Sequence, residues 1–237
     1  MARPGSPTSR LYSPDSPGQA TRFSTSAQTS AITHPASRTW SIVWWLGSHV
    51  EPNPTISRLL QRTVQANSFW AGAHINNLAL SDRDGTADMT VYEDMWGGAR
   101  LQQPDDLASS EHPWARAAAI REQFEVPTTT VDKYCGGAGI ERIDLLKIDV
   151  EGHEEEVVAG MQGIAASSPD LKAVLEFTFG AYANASSFWA TLSAMFSNRY
   201  AIRSDGTLTR VNTIDDLRAE TESELVNVAL ANRSLIG

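Results

Sequence analysis

The sequence predicts an α/β fold in which a mostly parallel sheet carries helices on both faces. Two observations lead to this prediction. Between residues 40 and 197, short apolar runs rich in β-branched residues alternate with segments of helical periodicity. Beyond residue 197, strand-like runs follow one another as in hairpins, which predicts an antiparallel strand at one edge of the sheet.

The amino-terminal half of this pattern is predicted from apolar runs and turn residues. We predict strands over residues 41–47, 74–80 and 86–92, and a helix over residues 55–67. Residues 93–125 are different, because glycines and prolines break every periodicity there. We expect a long loop over this range, with a helix at residues 114–123; such a loop is either a substrate lid or a poorly ordered excursion.

The carboxyl-terminal half of the chain alternates more clearly between strands and helices. We predict strands over residues 142–149, 172–177, 200–203, 208–211 and 225–231, and helices over residues 131–135, 153–162 and 185–197. The helix that starts at His153 is predicted to stop at Gly163, since glycine is favoured just past a helix end. Strands that alternate with helices are joined by crossovers, which makes neighbouring strands parallel.

Residues 1–39 differ in composition from the rest of the chain. They are rich in Ser, Thr, Pro and Ala and lack a hydrophobic period, so we predict a disordered tail followed by one domain over residues 40–237. A content of Ser and Arg with little acid is also typical of an organelle transit peptide. Four prolines before residue 18 forbid the amphipathic helix that such peptides form, so we prefer the disordered tail.

Composition and charge exclude several classes of function. The net charge of −9 and the absence of a basic stripe argue against a nucleic-acid partner, because phosphate binding needs clustered Lys and Arg. The longest apolar run, residues 42–46, is far shorter than the roughly 20 residues that span a bilayer. Cys135 is the only cysteine and the histidines show no metal-binding spacing, so we expect no metal site and a cytoplasmic, reducing environment.

Acidic side chains follow several of the predicted strands. Glu51 follows the first strand, Asp82 the second, and Asp149 and Glu151 follow the strand over residues 142–149. In open α/β sheets, ligands bind at the carboxyl ends of the strands. Glu51 is therefore a candidate for the two hydroxyls of a ribose, Asp82 for an adenine amino group, and Asp149 for an ammonium or sulfonium group. Together these residues outline a binding site for a cationic nucleoside.

Each of these polar residues also has a purely structural interpretation. Glu51 and Asp82 are ordinary turn residues, and the glutamates of residues 154–156 match a helix dipole by roughly 0.3 to 1 kcal/mol each. Asp149 is different, because a carboxylate at the end of an apolar strand would be desolvated without a partner. We therefore assign a functional role to Asp149. His153 could act as a general base toward a substrate hydroxyl, although a polar residue at a helix start needs no such role.

Three segments of the chain carry a family resemblance. These are HVEPNPTISRLLQRTVQAN (residues 49–67), NNLALSDRDGTADMTVY (76–92) and VPTTTVDKYCGGAGIERIDLLKIDVEGHEEEVVAGM (126–161). In the FkbM-type S-adenosylmethionine-dependent methyltransferases, similar segments form the second strand with its helix, the third strand with its hairpin, and a Thr-x-x-Asp helix followed by a strand ending Lys-Ile-Asp-Val-Glu-Gly-x-Glu. The chain resembles this family over a signature region at residues 49–163.

The resemblance implies a Rossmann-like methyltransferase fold. It implies transfer of a methyl group from S-adenosylmethionine to a hydroxyl of a small molecule or sugar, by in-line displacement. In this interpretation Glu51 binds the ribose, Asp82 lies near the adenine, and Asp149 and Glu151 face the cofactor. Asp149 or His153 would assist deprotonation of the acceptor. The signature acids of the strand-to-helix turn would be Asp149, Glu151 and Glu154.

One element of the family is absent from the sequence. The family begins with a strand that ends in an Asp-x-Gly-x-x-x-Gly loop, whose glycines let the backbone approach the methionine part of the cofactor. Nothing of this kind precedes Glu51, where Gly47 stands alone. We therefore expect a sheet that is incomplete at its N-terminal, glycine-loop end, through loss of the segment or an error in the gene model. The alternative function is a truncated, inactive member that serves as a binding or interaction module. The absence of a G-x-G-x-x-G motif argues against a dehydrogenase.

Overall fold

The computed structural model describes residues 21–26, 46–67, 73–92, 100–101 and 120–236. The strands are β1 (Thr21–Ser26), β2 (Leu46–Val50), β3 (Ala73–Asn76), β4 (Ala79–Leu80), β5 (Gly85–Tyr92), β6 (Arg100–Leu101), β7 (Ile120–Thr129), β8 (Leu145–Asp149), β9 (Lys172–Thr178), β10 (Asn198–Ile202), β11 (Leu208–Arg210) and β12 (Leu225–Ala231). The helices are α1 (Pro54–Ala66), α2 (Val131–Ala138), α3 (Glu154–Ala159), α4 (Gln162–Ser167), α5 (Ala185–Met195) and α6 (Ile214–Ala219). Among the helices of these segments, none combines the length and the apolar character needed to cross a membrane.

The larger sheet has eight strands in the order β11-β10-β12-β9-β8-β1-β2-β3. The five strands β3, β2, β1, β8 and β9 are parallel. β12 is antiparallel to both β9 and β10, and β11 is antiparallel to β10. The predicted α/β fold with a mostly parallel sheet is therefore confirmed. The antiparallel part is larger than the single predicted edge strand, because the chain returns after α6 and inserts β12 between β9 and β10.

β1 lies at the centre of this sheet. It pairs in parallel with β2 on one side and β8 on the other, and Arg22 is opposite both Gly47 and Leu145. The sequence predicted a disordered tail over residues 1–39 and a sheet without its first strand. Residues 21–26 instead supply a strand at this position, because backbone pairing on both sides satisfies the peptide groups of a mostly polar segment. The rest of residues 1–39 lies outside the described residues, and the boundary between tail and domain stays a prediction.

The smaller sheet has four strands in the order β4-β7-β5-β6, in which β5 and β7 pair antiparallel along their length. The sequence predicted β5 but not β7. The helix predicted over residues 114–123 is wrong for residues 120–123, which belong to β7. These residues are exposed, so the sequence lacks the alternation of apolar and polar residues that would have indicated a strand. Apart from β6, residues 93–119 of the predicted loop lie outside the described residues, as do residues 41–45 of the predicted first strand.

Two features of the helices differ from the prediction. The helix predicted over residues 153–162 ends at Ala159, and a second helix, α4, begins at Gln162. The predicted stop at Gly163 is therefore wrong, because Gly163 lies inside α4 and the break comes at Gly160. A Cβ atom on Gly160 would lie 2.2 Å from the backbone oxygen of Ser81, so only glycine fits where α3 approaches the end of β4. The sequence did not predict α6, whose start is fixed by a capping box between Thr213 and Asp216.

The core lies between the larger sheet and the helices packed against it. Leu146 and Ile148 of β8 and Leu175 and Phe177 of β9 are almost completely buried. Phe177 stacks on Phe188 of α5, with ring centroids 5.7 Å apart. Every residue of β8 is at least partly buried, as expected for a central strand covered on both faces. Polar groups at the end of such a strand are therefore held in a rigid, partly desolvated frame.

Candidate functional site

The order of strands in the larger sheet reverses at β1. The chain adds β2 and β3 on one side of β1, and β8 and β9 on the other. In open α/β sheets, ligands bind in a crevice at the carboxyl ends of the strands on either side of such a reversal. Val50, the last residue of β2, is opposite Thr25, and Asp149, the last residue of β8, is opposite Ser26. Glu51 and Asp149 therefore flank the end of β1, two strand spacings or about 10 Å apart.

Asp149 is a buried carboxylate, with 5% of its surface exposed. Its Oδ2 accepts a hydrogen bond from Lys147 Nζ at 2.6 Å. Its other oxygen, Oδ1, is buried and has no hydrogen-bond partner within the part of the chain that the structure describes. An unpaired carboxylate oxygen in the interior costs free energy. The described residues alone therefore leave this oxygen unsatisfied, and a bound ligand would satisfy it.

Glu154 holds the turn that follows β8. Its Oε1 accepts hydrogen bonds from the backbone N–H groups of Val150 and Gly152, both at 3.2 Å, and its Oε2 accepts one from the Tyr182 hydroxyl at 3.1 Å. Burial raises the pKa of the Glu154 carboxyl. The structural interpretation of Glu154 as a residue that only matches the helix dipole is therefore incomplete, because Glu154 is buried and fixes the backbone of the turn.

Glu151 and Glu176 join Asp149 in what we call the acidic cluster. Each residue offers one carboxylate oxygen, and these oxygens lie within 4.8 Å of one another. Burial, followed by the negative charges of Asp149, Glu151 and Glu154, raises the pKa of Glu176 to about 7. The sequence identified Asp149 and Glu151 but missed Glu176, which reaches the cluster only because β9 pairs with β8. The signal that could have found it is a charged residue in the middle of the apolar run AVLEFTF.

Glu51 is the second buried carboxylate at this edge of the sheet, with 3% of its surface exposed. Its Oε1 accepts a hydrogen bond from the Asn53 backbone N–H at 2.8 Å, and its own N–H donates to the Asn76 backbone oxygen at 2.9 Å. The Asn77 side chain donates to the backbone oxygens of Glu51 and Pro52 at 2.9 and 2.7 Å. Burial raises the pKa of Glu51 to about 7. The alternative of a solvated turn residue is therefore excluded.

The raised pKa of Glu51 predicts a pH dependence of stability. Because the pKa rises from an ordinary 4.5 to about 7 on folding, the stabilising contribution is complete below pH 4.5 and is lost as the pH rises to about 7. Glu51→Gln keeps an acceptor for the Asn53 N–H and cannot ionise. We expect this variant to match the wild type at low pH and to exceed it by on the order of 3 kcal/mol at about pH 8.

Urea unfolding at both pH values measures this difference. Glu176 also has a raised pKa, but it is present in both proteins and its contribution cancels. A stability difference that is the same at the two pH values would contradict the prediction.

His153 and Asp82 belong to one hydrogen-bond network. His153 Nε2 lies 3.0 Å from Ser81 Oγ, and His153 Nδ1 lies 3.4 Å from Glu156 Oε2. Ser81 Oγ also donates to Asp82 Oδ1 at 3.2 Å, and Arg83 donates to Asp82 Oδ2 at 3.1 Å. His153 is buried, whereas Asp82 is exposed in the turn after β4. Both ring nitrogens of His153 thus already contact a side chain.

The predicted site residues therefore fall into separate groups. Asp149 and Glu151 share the acidic cluster, His153 and Asp82 are joined through Ser81, and Glu51 lies across β1 from Asp149. The crevice at the end of β1 is bordered by buried carboxylates on both sides. Such a site suits a ligand that offers hydroxyl donors to one side and positive charge to the other.

Comparison with known proteins relates this chain to methyltransferases. The model of the methyltransferase FkbM domain matches residues 29–202, so the match begins within the predicted tail. Methyltransferase 1 of Beauveria bassiana (strain ARSEF 2860) is 26% identical over 117 residues, which are 47% of each chain. The 2-O-methyltransferase NoeI of Sinorhizobium fredii (strain NBRC 101917 / NGR234) is 35% identical over 91 residues, which are 35% of each chain. The chain spans half or less of the length of these curated relatives.

A solved structure is also similar to this chain. The crystal structure of methyltransferase FkbM from Methylobacillus flagellatus KT has a TM-score of 0.41 and 11% sequence identity, and the similarity covers 78% of this chain and 36% of that chain. The match to the family model extends over well more than half of the 237 residues and includes β2 to β9. The chain belongs to the FkbM methyltransferase family.

Proposed function

We propose that this protein is an S-adenosylmethionine-dependent methyltransferase that methylates a hydroxyl of a small molecule or sugar. The observation that carries the proposal is the pair of buried carboxylates, Glu51 and Asp149, on the two sides of the end of β1. Nucleotides bind at this edge of α/β sheets. Because the chain belongs to the FkbM methyltransferase family, the expected nucleoside ligand is S-adenosylmethionine. A relative named as a 2-O-methyltransferase supports oxygen as the acceptor atom.

The two sides of the crevice suit the two ends of this cofactor. Glu51 Oε2 accepts no hydrogen bond from the described residues, so the carboxylate can accept ribose hydroxyls there. Asp149 and Glu151 present negative charge to the cationic methionine end. Asp82, in the turn after β4, would lie near the adenine. To bind it, Asp82 would give up its hydrogen bond with Ser81 or with Arg83. Bound S-adenosylmethionine supplies a methyl group carried on a positively charged sulfur.

The acceptor hydroxyl must lose its proton, and two residues are proposed to take it. Asp149 Oδ1 is free of any hydrogen-bond partner within the described segments, so it needs no rearrangement to accept a proton. His153 would first have to give up its contact with Ser81 or with Glu156. The contacts therefore favour Asp149, with His153 as the second candidate.

The methionine side of the site differs from the family pattern. β1 occupies the central place in the sheet, but the sequence has no glycine between Gly18 and Gly47, and residues 27–45 lie outside the described residues. The ribose side therefore fits the cofactor, whereas the glycine loop of the family is missing. This difference favours one rival function, a binding or interaction module that has lost catalysis.

Titration calorimetry with S-adenosylmethionine separates the two functions. We expect saturable binding to the wild type and binding about 10-fold weaker or more to Glu51→Gln, because that variant loses charge-assisted hydrogen bonds worth about 1.5 to 3 kcal/mol. Glu125→Gln, an exposed change in β7, is the matched control and should bind as the wild type does. Folded wild-type protein that gives no binding would reject the methyltransferase proposal and favour the rival.

A further inference from the structure

We propose that the acidic cluster of Asp149, Glu151 and Glu176 binds a divalent cation of the hard class, Mg²⁺ or Mn²⁺. Neither the sequence nor the family match assigns a metal to this chain. The three carboxylates come from the end of β8, from the turn held by Glu154, and from β9. They thus belong to three backbone segments that the fold brings to one point.

The geometry of the cluster fits such an ion. Three carboxylate oxygens, one from each residue, lie within 4.8 Å of one another. Mg²⁺ binds oxygen ligands at about 2.0 to 2.1 Å, so ligand oxygens on one ion are separated by up to about 4.2 Å. A small inward movement of the three side chains would bring them into that range. Carboxylate oxygens are ligands that suit Mg²⁺ and Mn²⁺, whereas zinc and copper sites typically contain imidazole or thiolate ligands.

A second, independent observation points to a missing ligand at the cluster. Asp149 is 5% exposed, and its Oδ1 is a buried acceptor without a hydrogen-bond partner among the described residues. Buried polar atoms in folded proteins almost always have a partner, and an unpaired charged one is especially costly. A bound cation would satisfy this oxygen.

One cationic side chain already contacts the cluster. Lys147 Nζ pairs with Asp149 Oδ2 at 2.6 Å, whereas Oδ1 is the oxygen without a partner among the described residues. A divalent ion bound to Oδ1 would therefore leave the Lys147 contact intact.

The role of this ion rests on the proposed function. Mg²⁺ keeps open coordination positions that water occupies, and one of them can bind the acceptor oxygen beside the cofactor crevice. The ion would orient that oxygen and favour loss of its proton to water. With the ion bound, Asp149 would serve as its ligand and the acceptor proton would pass to water; without the ion, Asp149 or His153 would take that proton.

Manganese binding to the full chain, followed by electron paramagnetic resonance without S-adenosylmethionine, tests the inference directly. We expect one saturable site in the wild type, competed by Mg²⁺, and affinity weaker by about 10-fold or more in Glu176→Gln. Glu155→Gln in α3 removes the same charge nearby but outside the cluster, and should leave the affinity within about twofold of the wild type. Glu176→Gln keeps the side-chain volume and removes repulsion, so it should fold; Asp149→Asn provides a second variant.

Two results would overturn the inference: no saturable binding of manganese by the wild type, or equal affinity in the wild type and both cluster variants. The titration with S-adenosylmethionine is a separate measurement. Manganese binding without cofactor binding would therefore retain the metal site and reject the methyltransferase proposal, and the reverse result would do the opposite.

Discussion

Replacing Gly160 by alanine is expected to destabilise the fold by about 3 kcal/mol or more. The added Cβ would lie 2.2 Å from the Ser81 backbone oxygen and 3.2 Å from the Thr130 Cβ. Neither neighbour can move easily. Ser81 N donates to the Thr129 oxygen at 2.9 Å, and the Gly160 oxygen accepts from Asp132 N at 3.0 Å. Relief of the clash therefore requires α3, α2 and the end of β4 to separate, and urea unfolding measures the cost.

Gly136→Ala is the matched control for this change. Gly136 lies on the exposed side of α2, and a Cβ there meets nothing within 4 Å. Alanine is favoured over glycine inside a helix, so this variant should be more stable than the wild type by roughly 0.5 to 1 kcal/mol. The close approach of α3 to β4 would be disproved if Gly160→Ala unfolded at the urea concentration of the wild type.

Asp149→Asn is expected to reduce methyl transfer by about 100-fold or more. The substitution keeps the shape of the side chain and removes its charge at the buried end of β8. The loss of activity is expected whether Asp149 attracts the positively charged cofactor, takes the proton of the acceptor or binds an ion, because each of these roles needs the carboxylate. Transfer of labelled methyl groups to a panel of sugars and small hydroxylated molecules is the measurement.

The control for this variant is Asp170→Asn. Asp170 is also a carboxylate paired with a basic residue, but its pair with Arg233 is exposed. Asp170 precedes β9, at the opposite end of the parallel strands β8 and β9 from Asp149. Such surface pairs contribute little, so activity and stability should stay close to those of the wild type. Undiminished methyl transfer by a folded Asp149→Asn protein would remove Asp149 from the site.

Strands with an apolar pattern could be predicted well from the sequence. β12 has the predicted bounds, Leu225–Ala231, and β8 and β9 differ from the prediction only at their ends. β1 could not be predicted in this way, because TRFSTS holds a single large apolar residue. Its conformation is determined by β2 and β8, which lie 20 and more than 100 residues further along the chain. Pairing between distant segments leaves no local pattern.

The candidate site likewise contains residues that could be identified from the sequence and residues that could not. Asp149 and Glu151 could be found because a run of apolar residues stops at them. Glu176 could not, since a carboxylate within a strand gains its neighbours only through the register of β8 and β9. Glu154 was found as a signature residue, but its second carboxylate oxygen accepts a hydrogen bond from Tyr182, which comes 28 residues later. Local sequence thus identifies which acids are unusual, and tertiary structure decides what each one contacts.

The central position of β1 also has a consequence for synthesis of the protein on the ribosome. Thr25 is opposite Val50 on one side and opposite Ile148, 123 residues later, on the other. At a translation rate of roughly 5 to 20 residues per second, β8 emerges from the ribosome about 6 to 25 seconds after β1. During that interval the nascent chain presents an open strand edge, to which chaperones or other growing chains can bind.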